Sequence, residues 1–228
     1  MVRIPLLGKT SQIGSKSQST LLPLDEIAAP ARKDLDLGDI GALRSVIVKY
    51  RPTFIVDATA HTNVNLANSE PARTHRVNRD AVAALTDYAS CNNARFAHHS
   101  TDYVFDGKKD VPYLEDDATR PLNVYGATKR DGGRAVRAAK DRHLIAATSW
   151  YGFAKFLFGE ASRQGLKLRC SASGVRVILA ADYETSVTRP ANLRLDTAKL
   201  CKIFYLDLPS WPDHARKVVS EFSAGAMA

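Results

Sequence analysis

Apolar runs alternate with amphipathic stretches along the first two thirds of this chain, and that alternation sets the expected architecture. Residues 2–7, VRIPLL, end at Gly8 and predict a first strand entering a tight turn. Pro5 sits awkwardly in it, since a proline gives the ladder no N–H. A short second strand is expected near 24–29, and a helix from Asp39 to about Tyr50. Residues 51–62, RPTFIVDATAHT, read as a buried parallel strand, because strands covered on both faces are nearly continuous apolar runs. A helix follows from near Glu70 to Ala89, with Pro71 suited to its first turn and Asn78 midway. Residues 94–100, ARFAHHS, predict the next strand, Asn123 and Val124 open another helix, and residues 143–149, HLIAATS, return as a strand. Strands and helices in alternation through residue 150 predict an α/β, doubly wound parallel sheet. Beyond it, helices are expected near 153–164, 196–205 and 212–222, with a loose stretch at 171–195. The chain is therefore expected to divide at residue 150 into a sheet domain, 1–150, and a reduced, mainly helical region, 151–228.

Candidate chemistry falls at the ends of those strands. The segment G-K-T-S-Q-I-G, Gly8 to Gly14, stands where a Rossmann-like dinucleotide fold places its glycine-rich turn before a helix, so Gly8, Ser11, Gln12, Ile13 and Gly14 are candidate cofactor contacts. Ser11 occupies the middle glycine position; it can donate to phosphate, but its Cβ resists a close approach. After the second strand, Arg32 and Lys33 stand where an acid would favour the unphosphorylated dinucleotide. These cations either favour a 2′-phosphate, hence NADPH with NADH the alternative, or are solvated loop charges. Asp36 and Leu37 are placed near the adenine, and Ala58, Thr59 and Ala60 are either cofactor neighbours or ordinary close packing.

The stretch from Ser100 to Lys129 carries a Tyr-x-x-x-Lys pair, Tyr125 and Lys129. On a helix such a pair shares one face, about 5–6 Å apart, so an ammonium at Lys129 is expected to favour the phenolate and lower the Tyr125 pKa. A tyrosine so tuned can give or take a proton near neutral pH. The alternative is an exposed helical pair without a role.

Composition narrows the class. With 228 residues, 45% apolar and 25% charged, the chain reads as an ordinary globular protein, and no apolar run approaches the roughly 20 residues of a membrane span. The segment MVRIPLLGKTSQIG runs straight into Gly and Lys and does not read as a signal peptide, which leaves a cytoplasmic location as the default. Cys91, Cys170 and Cys201 are scattered and odd in number, as expected of reduced thiols. His98 and His99 follow Cys91 without a second cluster, so no metal site is expected and the pair is read as a strand end with one inward and one outward histidine. The net charge of +8 is spread along the chain without a dense basic run; it suits an anionic cofactor and substrate, and nucleic acid is not the expected partner.

With Ser100-Thr101-Asp102-Tyr103-Val104-Phe105, P-L-N-V-Y-G-A-T-K, the G-K-T-x-Q-I-G turn, A-H-T at 60–62, S-E-P at 69–71 and R-P-A-N-L-R-L-D-T-A-K-L at 189–200, the sequence resembles the dTDP-4-dehydrorhamnose reductase family, extended short-chain dehydrogenase/reductases. The resemblance implies an NAD(P)H-dependent oxidoreductase that delivers hydride to C4 of a nucleotide-linked 4-keto sugar. It implies Tyr125 as proton donor, Lys129 at the nicotinamide ribose, Thr101 on the substrate oxygen, and Asp102, Tyr103 and Trp150 as substrate neighbours. A second copy of the chain is a further candidate partner. Departures accompany it. Ser11 replaces a glycine, Asp57 stands where the family usually has Asn, and Gly132 and Gly133 lie together in the helix after Lys129, at about 1 kcal/mol each. Ser149-Trp150 runs directly into YGFAKFLFGEA, as if two S-W segments were fused with roughly 70 residues missing between them, by the domain size expected of the fold. A cofactor-binding, catalytically weak homologue is therefore the second reading.

Overall fold

The computed structural model describes residues 3–21, 26–139, 160, 163, 186–210, 212–213, 215–217 and 219–220. The expected strand at 143–149, the helix at 153–164 apart from residues 160 and 163, and Trp150 lie outside them. The chain divides into two compact units, one of Met1–Lys108, Ala118–Ile145 and Ser186–Pro190, the other of Lys109–Asp117, Ala146–Thr185 and Ala191–Ala228.

The first unit holds a parallel sheet in the order β2-β1-β3-β4, built from β1 (Arg3–Leu7), β2 (Glu26–Ala28), β3 (Phe54–Asp57) and β4 (Arg95–His98). Its faces are set by alternation along the strands. Leu7, Ile55 and Phe96 join Leu43, Ile47, Leu85 and Val136 on one side, whereas Ile4, Leu6 and Val56 meet Leu21 and Ile27 on the other. Each fully buried Leu or Ile contributes about 1.5–3 kcal/mol by leaving water, which is why both faces must be covered by helices. Those on the first side include α2 (Ile40–Tyr50) and α5 (Ala81–Cys91); α1 (Gln12–Leu21) serves the second. Pro5 falls at a changeover: pairing with β2 ends at Pro5 opposite Ala28, and pairing with β3 begins at Leu6 opposite Val56. Its missing N–H thus interrupts neither ladder in mid-run.

The helix expected from 70 to 89 is divided. After α3 (Val64–Ser69), α4 (Pro71–His75) passes through a π-helical turn, Arg76–Asp80, into α5. That turn directs Asn78 inward, where it is buried, and such turns are frequently placed at functional sites. Helix α6 (Val124–Ala138) starts on Asn123, whose side chain accepts from the Gly126 N–H. Of the two glycines in α6, Gly132 has a packing reason that composition hides: a Cβ there would stand 2.4 Å from the Asn78 carbonyl oxygen, so α6 reaches the π turn only with glycine at that position.

In the second unit, Tyr113 pairs with Leu195 in an isolated parallel bridge, and the Asn192 carboxamide donates to the carbonyls of Lys109 and Val111. Helix α7 (Ala198–Phe204) follows it. Among the described residues no helix is long and apolar enough to cross a membrane.

Candidate functional site

Strand order places the site. The chain winds from β1 to β2 on one side and then to β3 on the other, and the carboxyl ends beside such a reversal form the ligand crevice of open α/β sheets. A cavity of about 250 Å³ opens there, lined by Gly8 and Ser11 after β1, Arg32, Asp36 and Leu37 after β2, and Ala58, Thr59 and Ala60 after β3. Lys9, Thr10, His61, Arg73 and Val77 also line it and were not legible as site residues in the sequence.

Gly8 makes the turn with φ +84°, and a Cβ there would stand 2.7 Å from the Ala58 carbonyl oxygen. Ser11 does not spoil this turn. Its hydroxyl donates to the Ala58 carbonyl at 2.9 Å and accepts from the Gly14 N–H at 2.9 Å, so it ties β1 to β3 and caps α1. Gly14 is buried behind the turn and Ile13 is 47% exposed, and neither lines the cavity; Gln12 is the first residue of α1. A tight glycine turn, a ten-residue helix beginning at its foot, and Lys9, Arg32 and Arg73 on the wall fit the phosphates of a dinucleotide. Asp36 is the carboxylate on that wall, and Arg73 is shared with Glu70 at 3.5 Å.

Thr101, Tyr125 and Lys129 are all buried, at 7%, 9% and 1% exposure. Thr101 lies just past β4 and precedes a single 3-10 turn, Asp102–Val104. Its hydroxyl donates to the Asp102 carboxylate at 3.0 Å and accepts from the Tyr103 N–H at 3.3 Å. Tyr125 is the second residue of α6, with the Tyr103 ring in a T-shaped contact with it at 5.6 Å and 71°. Burial raises the Tyr125 pKa above 10.0, opposed by a hydrogen bond with Thr101 and assisted by the charge of Asp102. This corrects the expected lowering: Lys129 is not among the groups acting on the phenol, and burial keeps Tyr125 protonated. Burial likewise raises the Asp102 and Tyr103 pKa values, against hydrogen bonds from Thr101 to the carboxyl and the charge of Arg189 near the phenol.

The amine of Lys129 is directed to the sheet instead. It donates to the His99 carbonyl and meets His98 Nε2 at 3.3 Å; His98 Nδ1 in turn lies 2.8 Å from Asp57 Oδ2. The Thr59 N–H (3.0 Å) and hydroxyl donate to the other Asp57 oxygen. Burial lowers the Lys129 pKa to about 8, with the Asp57 charge raising it. Asp57 is held below its usual range although burial opposes ionisation, because His98, Lys129 and Thr59 stabilise the carboxylate. Burial lowers the His98 pKa despite its bond to Asp57. Of the two histidines expected inward and outward, His98 is inward at 2% exposed, whereas His99 is half-buried with its Nδ1 3.0 Å from the Asp57 carbonyl oxygen. Among the described residues no cluster suited to a metal ion is present.

Asn78 braces this arrangement. It donates to Thr128 at 3.2 Å and to the His61 carbonyl at 3.2 Å, and accepts the His61 N–H at 2.8 Å, while Thr128 donates to the Tyr125 carbonyl at 2.9 Å. Its polarity in the middle of an apolar helix was the only sequence signal for it.

The model of the RmlD substrate binding domain family matches residues 2–150. The dTDP-4-dehydrorhamnose reductase of Escherichia coli K12 is 30% identical over 294 aligned positions, covering 96% of this chain and 98% of that protein. The reductase of the same name from Sinorhizobium fredii is 32% identical over 286 positions, covering 96% and 97%. Because 96% of a 228-residue chain fills an alignment of 294 positions, about 75 of them face a gap in this chain. Among solved structures, the dTDP-4-dehydrorhamnose reductase of Bacillus anthracis, in complex with NADP, superposes with a TM-score of 0.83 at 20% identity, over 97% of this chain and all of that one. The Yersinia enterocolitica reductase superposes at 0.78 with 21% identity, again over 97% of this chain. These structural matches place the α/β, Rossmann-like fold.

Proposed function

The chain belongs to the dTDP-4-dehydrorhamnose reductase family of NAD(P)H-dependent oxidoreductases, and we propose that it catalyses the NADPH-dependent reduction of the 4-keto group of dTDP-4-dehydro-L-rhamnose to dTDP-L-rhamnose. The observation that carries this reading is the burial of Thr101, Tyr125 and Lys129 together, with burial keeping the Tyr125 phenol protonated.

In this reading the cleft at Gly8, Ser11 and Ala58–Ala60 holds the dinucleotide, with Arg32 and Arg73 beside a 2′-phosphate and Asp36 and Leu37 beside the adenosine. When bound, the reduced nicotinamide supplies hydride. Tyr125 gives its proton to the carbonyl oxygen at C4, while Thr101 orients that oxygen and the phenol together. The Thr101 hydroxyl donates to the Asp102 carboxylate, which fixes its rotamer beside the buried phenol. Lys129 has a third N–H donor to offer the ribose after His99 and His98. Residues 1–150 are the cofactor-binding part, and 151–228, with Trp150, face the sugar nucleotide.

The gap of about 75 aligned positions favours a second reading, a cofactor-binding chain with weak turnover. Absorbance of NADPH at saturating dTDP-4-dehydrorhamnose, followed beside the melting temperature with NADPH alone, decides between the two. Substrate-dependent loss of NADPH supports the reductase. A rise in melting temperature without oxidation rejects the reductase and leaves the binding protein.

A further inference from the structure

The hydrogen-bonded line Thr59–Asp57–His98–Lys129 runs beneath the candidate active site, and no step proposed above uses its middle two members. Asp57 and His98 are the last residues of β3 and β4 and are partners in the sheet register, so both side chains leave the sheet together. They are 1% and 2% exposed. Burying a carboxylate and an amine is costly unless each is paired and hydrogen-bonded. Here both Asp57 oxygens are engaged, Oδ2 by His98 and Oδ1 twice by Thr59.

The line has a direction. An ammonium has only donors, so when Lys129 is charged the His98 Nε2 beside it must be the acceptor. The single imidazole proton then sits on Nδ1 and points at Asp57 Oδ2. Deprotonation of Asp57 therefore fixes one tautomer, and that tautomer offers Lys129 a lone pair.

We propose that Asp57 and His98 are positioning residues that hold Lys129 charged and fixed one helical turn from Tyr125, and that they tie its charge state to the cofactor cleft through Thr59. The last clause rests on the geometry of Thr59, which lines the cleft and gives two hydrogen bonds to the same carboxylate. The proposal deepens the reductase reading, on which its catalytic consequence depends; the charge of Lys129 in the unliganded chain does not depend on it.

Among the described residues, few titratable groups face Lys129. From the sheet they are Asp57, His98 and His99, and one turn back on its own helix Tyr125. The π turn packed on α6 presents Asn78, which is uncharged, at Thr128 and Gly132. Asp57 is the carboxylate whose charge acts on Lys129, against burial. Removing it leaves the amine buried with only neutral acceptors.

The test is the titration of the Lys129 side chain by carbon- and nitrogen-detected NMR on the full chain without ligand, its resonance assigned with Lys129→Arg. The unmodified protein should titrate near pH 8. Asp57→Asn, equal in shape, should lower the midpoint by a unit or more, tenfold in the protonation equilibrium. His98→Gln, which can still donate to Asp57 and accept from Lys129, should stay close to the parent, whereas His98→Leu should fall as Asp57→Asn does. Thr59→Val should shift it downward by less. Should Asp57→Asn not fold, the two His98 variants carry the same comparison. Midpoints unmoved by Asp57→Asn, or equal in His98→Gln and His98→Leu, overturn the proposal. If the chain turns over substrate, the alkaline limb of kcat/KM should move with the NMR midpoint, and a limb that stays in place also overturns it. A chain without turnover that shows the NMR shifts keeps this inference and loses the reductase reading.

Discussion

The rings of Tyr103 and Tyr125 meet in a T-shaped contact, centroids 5.6 Å apart with the planes at 71°. This contact helps keep water from the Tyr125 phenol, and burial in turn raises its pKa above the ordinary value of 10.0. A phenol so held remains protonated through the neutral and mildly alkaline range. Tyr125→Phe keeps the ring contact and removes the proton. Reduction is expected to fall by about 10²–10⁴-fold with NADPH binding retained, as read by initial rates beside a fluorescence titration.

Ser11 makes a second test, because restoring the glycine of the usual turn should weaken this protein. Its hydroxyl gives one bond to Ala58 and takes one from Gly14. Ser11→Ala should cost about 1–2 kcal/mol in urea unfolding and Ser11→Gly about half as much, since glycine is itself a fair helix cap, and NADPH affinity should drop with them.

Much of the fold was legible because the signals are local. Near-continuous apolar runs gave β3 and β4, and Asp39 and Asn123 announced helix starts that their side chains do cap. The cleft was legible in its glycine turn and small strand ends. What local patterns could not carry was long-range pairing. Nothing near Lys129 in the chain says that its amine meets His98, 31 positions away, or that Asp57, 41 positions from His98, closes the line. The spacing of Tyr125 and Lys129 suggested a lowered phenol pKa, yet burial, a tertiary property, decides the sign. Gly132 looked like a helix defect for the same reason: its contact, Asn78, is distant in sequence.

Gly132→Ala should show that contact directly. The added Cβ would meet a backbone carbonyl at 2.4 Å, which cannot swing away as a flexible side chain would. Although alanine is the better helix former, the variant is expected to lose about 1–3 kcal/mol and to shift α6. Calorimetric melting and the Lys129 resonance check both effects. Gly133, with its nearest such neighbour at 3.9 Å, should accept alanine with no loss or a small gain.

Stability should depend on pH through Lys129 with an unusual sign. Its pKa is about 8 in the folded chain against an ordinary 10.5, so between these values the unfolded chain binds more protons. Folding is therefore favoured as pH rises across that window, by up to about 3 kcal/mol from this group. Lys129→Met should remove that contribution. Urea unfolding of both proteins at pH 7.5 and 9.5 gives the difference in slope, and parallel slopes refute it.

Arg32 and Arg73 line the cleft wall, and both should matter more to NADPH than to NADH. Replacing the pair with alanine is expected to weaken NADPH binding by about tenfold or more, as for a lost charge-assisted contact, and to leave NADH nearly unchanged. Calorimetric titration with each dinucleotide reads the ratio.

Sheet register carries one more consequence. Asp57 stands opposite His98 in the ladder. A slip of β4 by one residue would bring Ala97 or His99 there and turn His98 to the other face. The Lys129 amine would then lose its imidazole acceptor in the same event. Maturation of the sheet and arming of the lysine are thus one step, so the charge on a single amine reports whether the chain has folded in register.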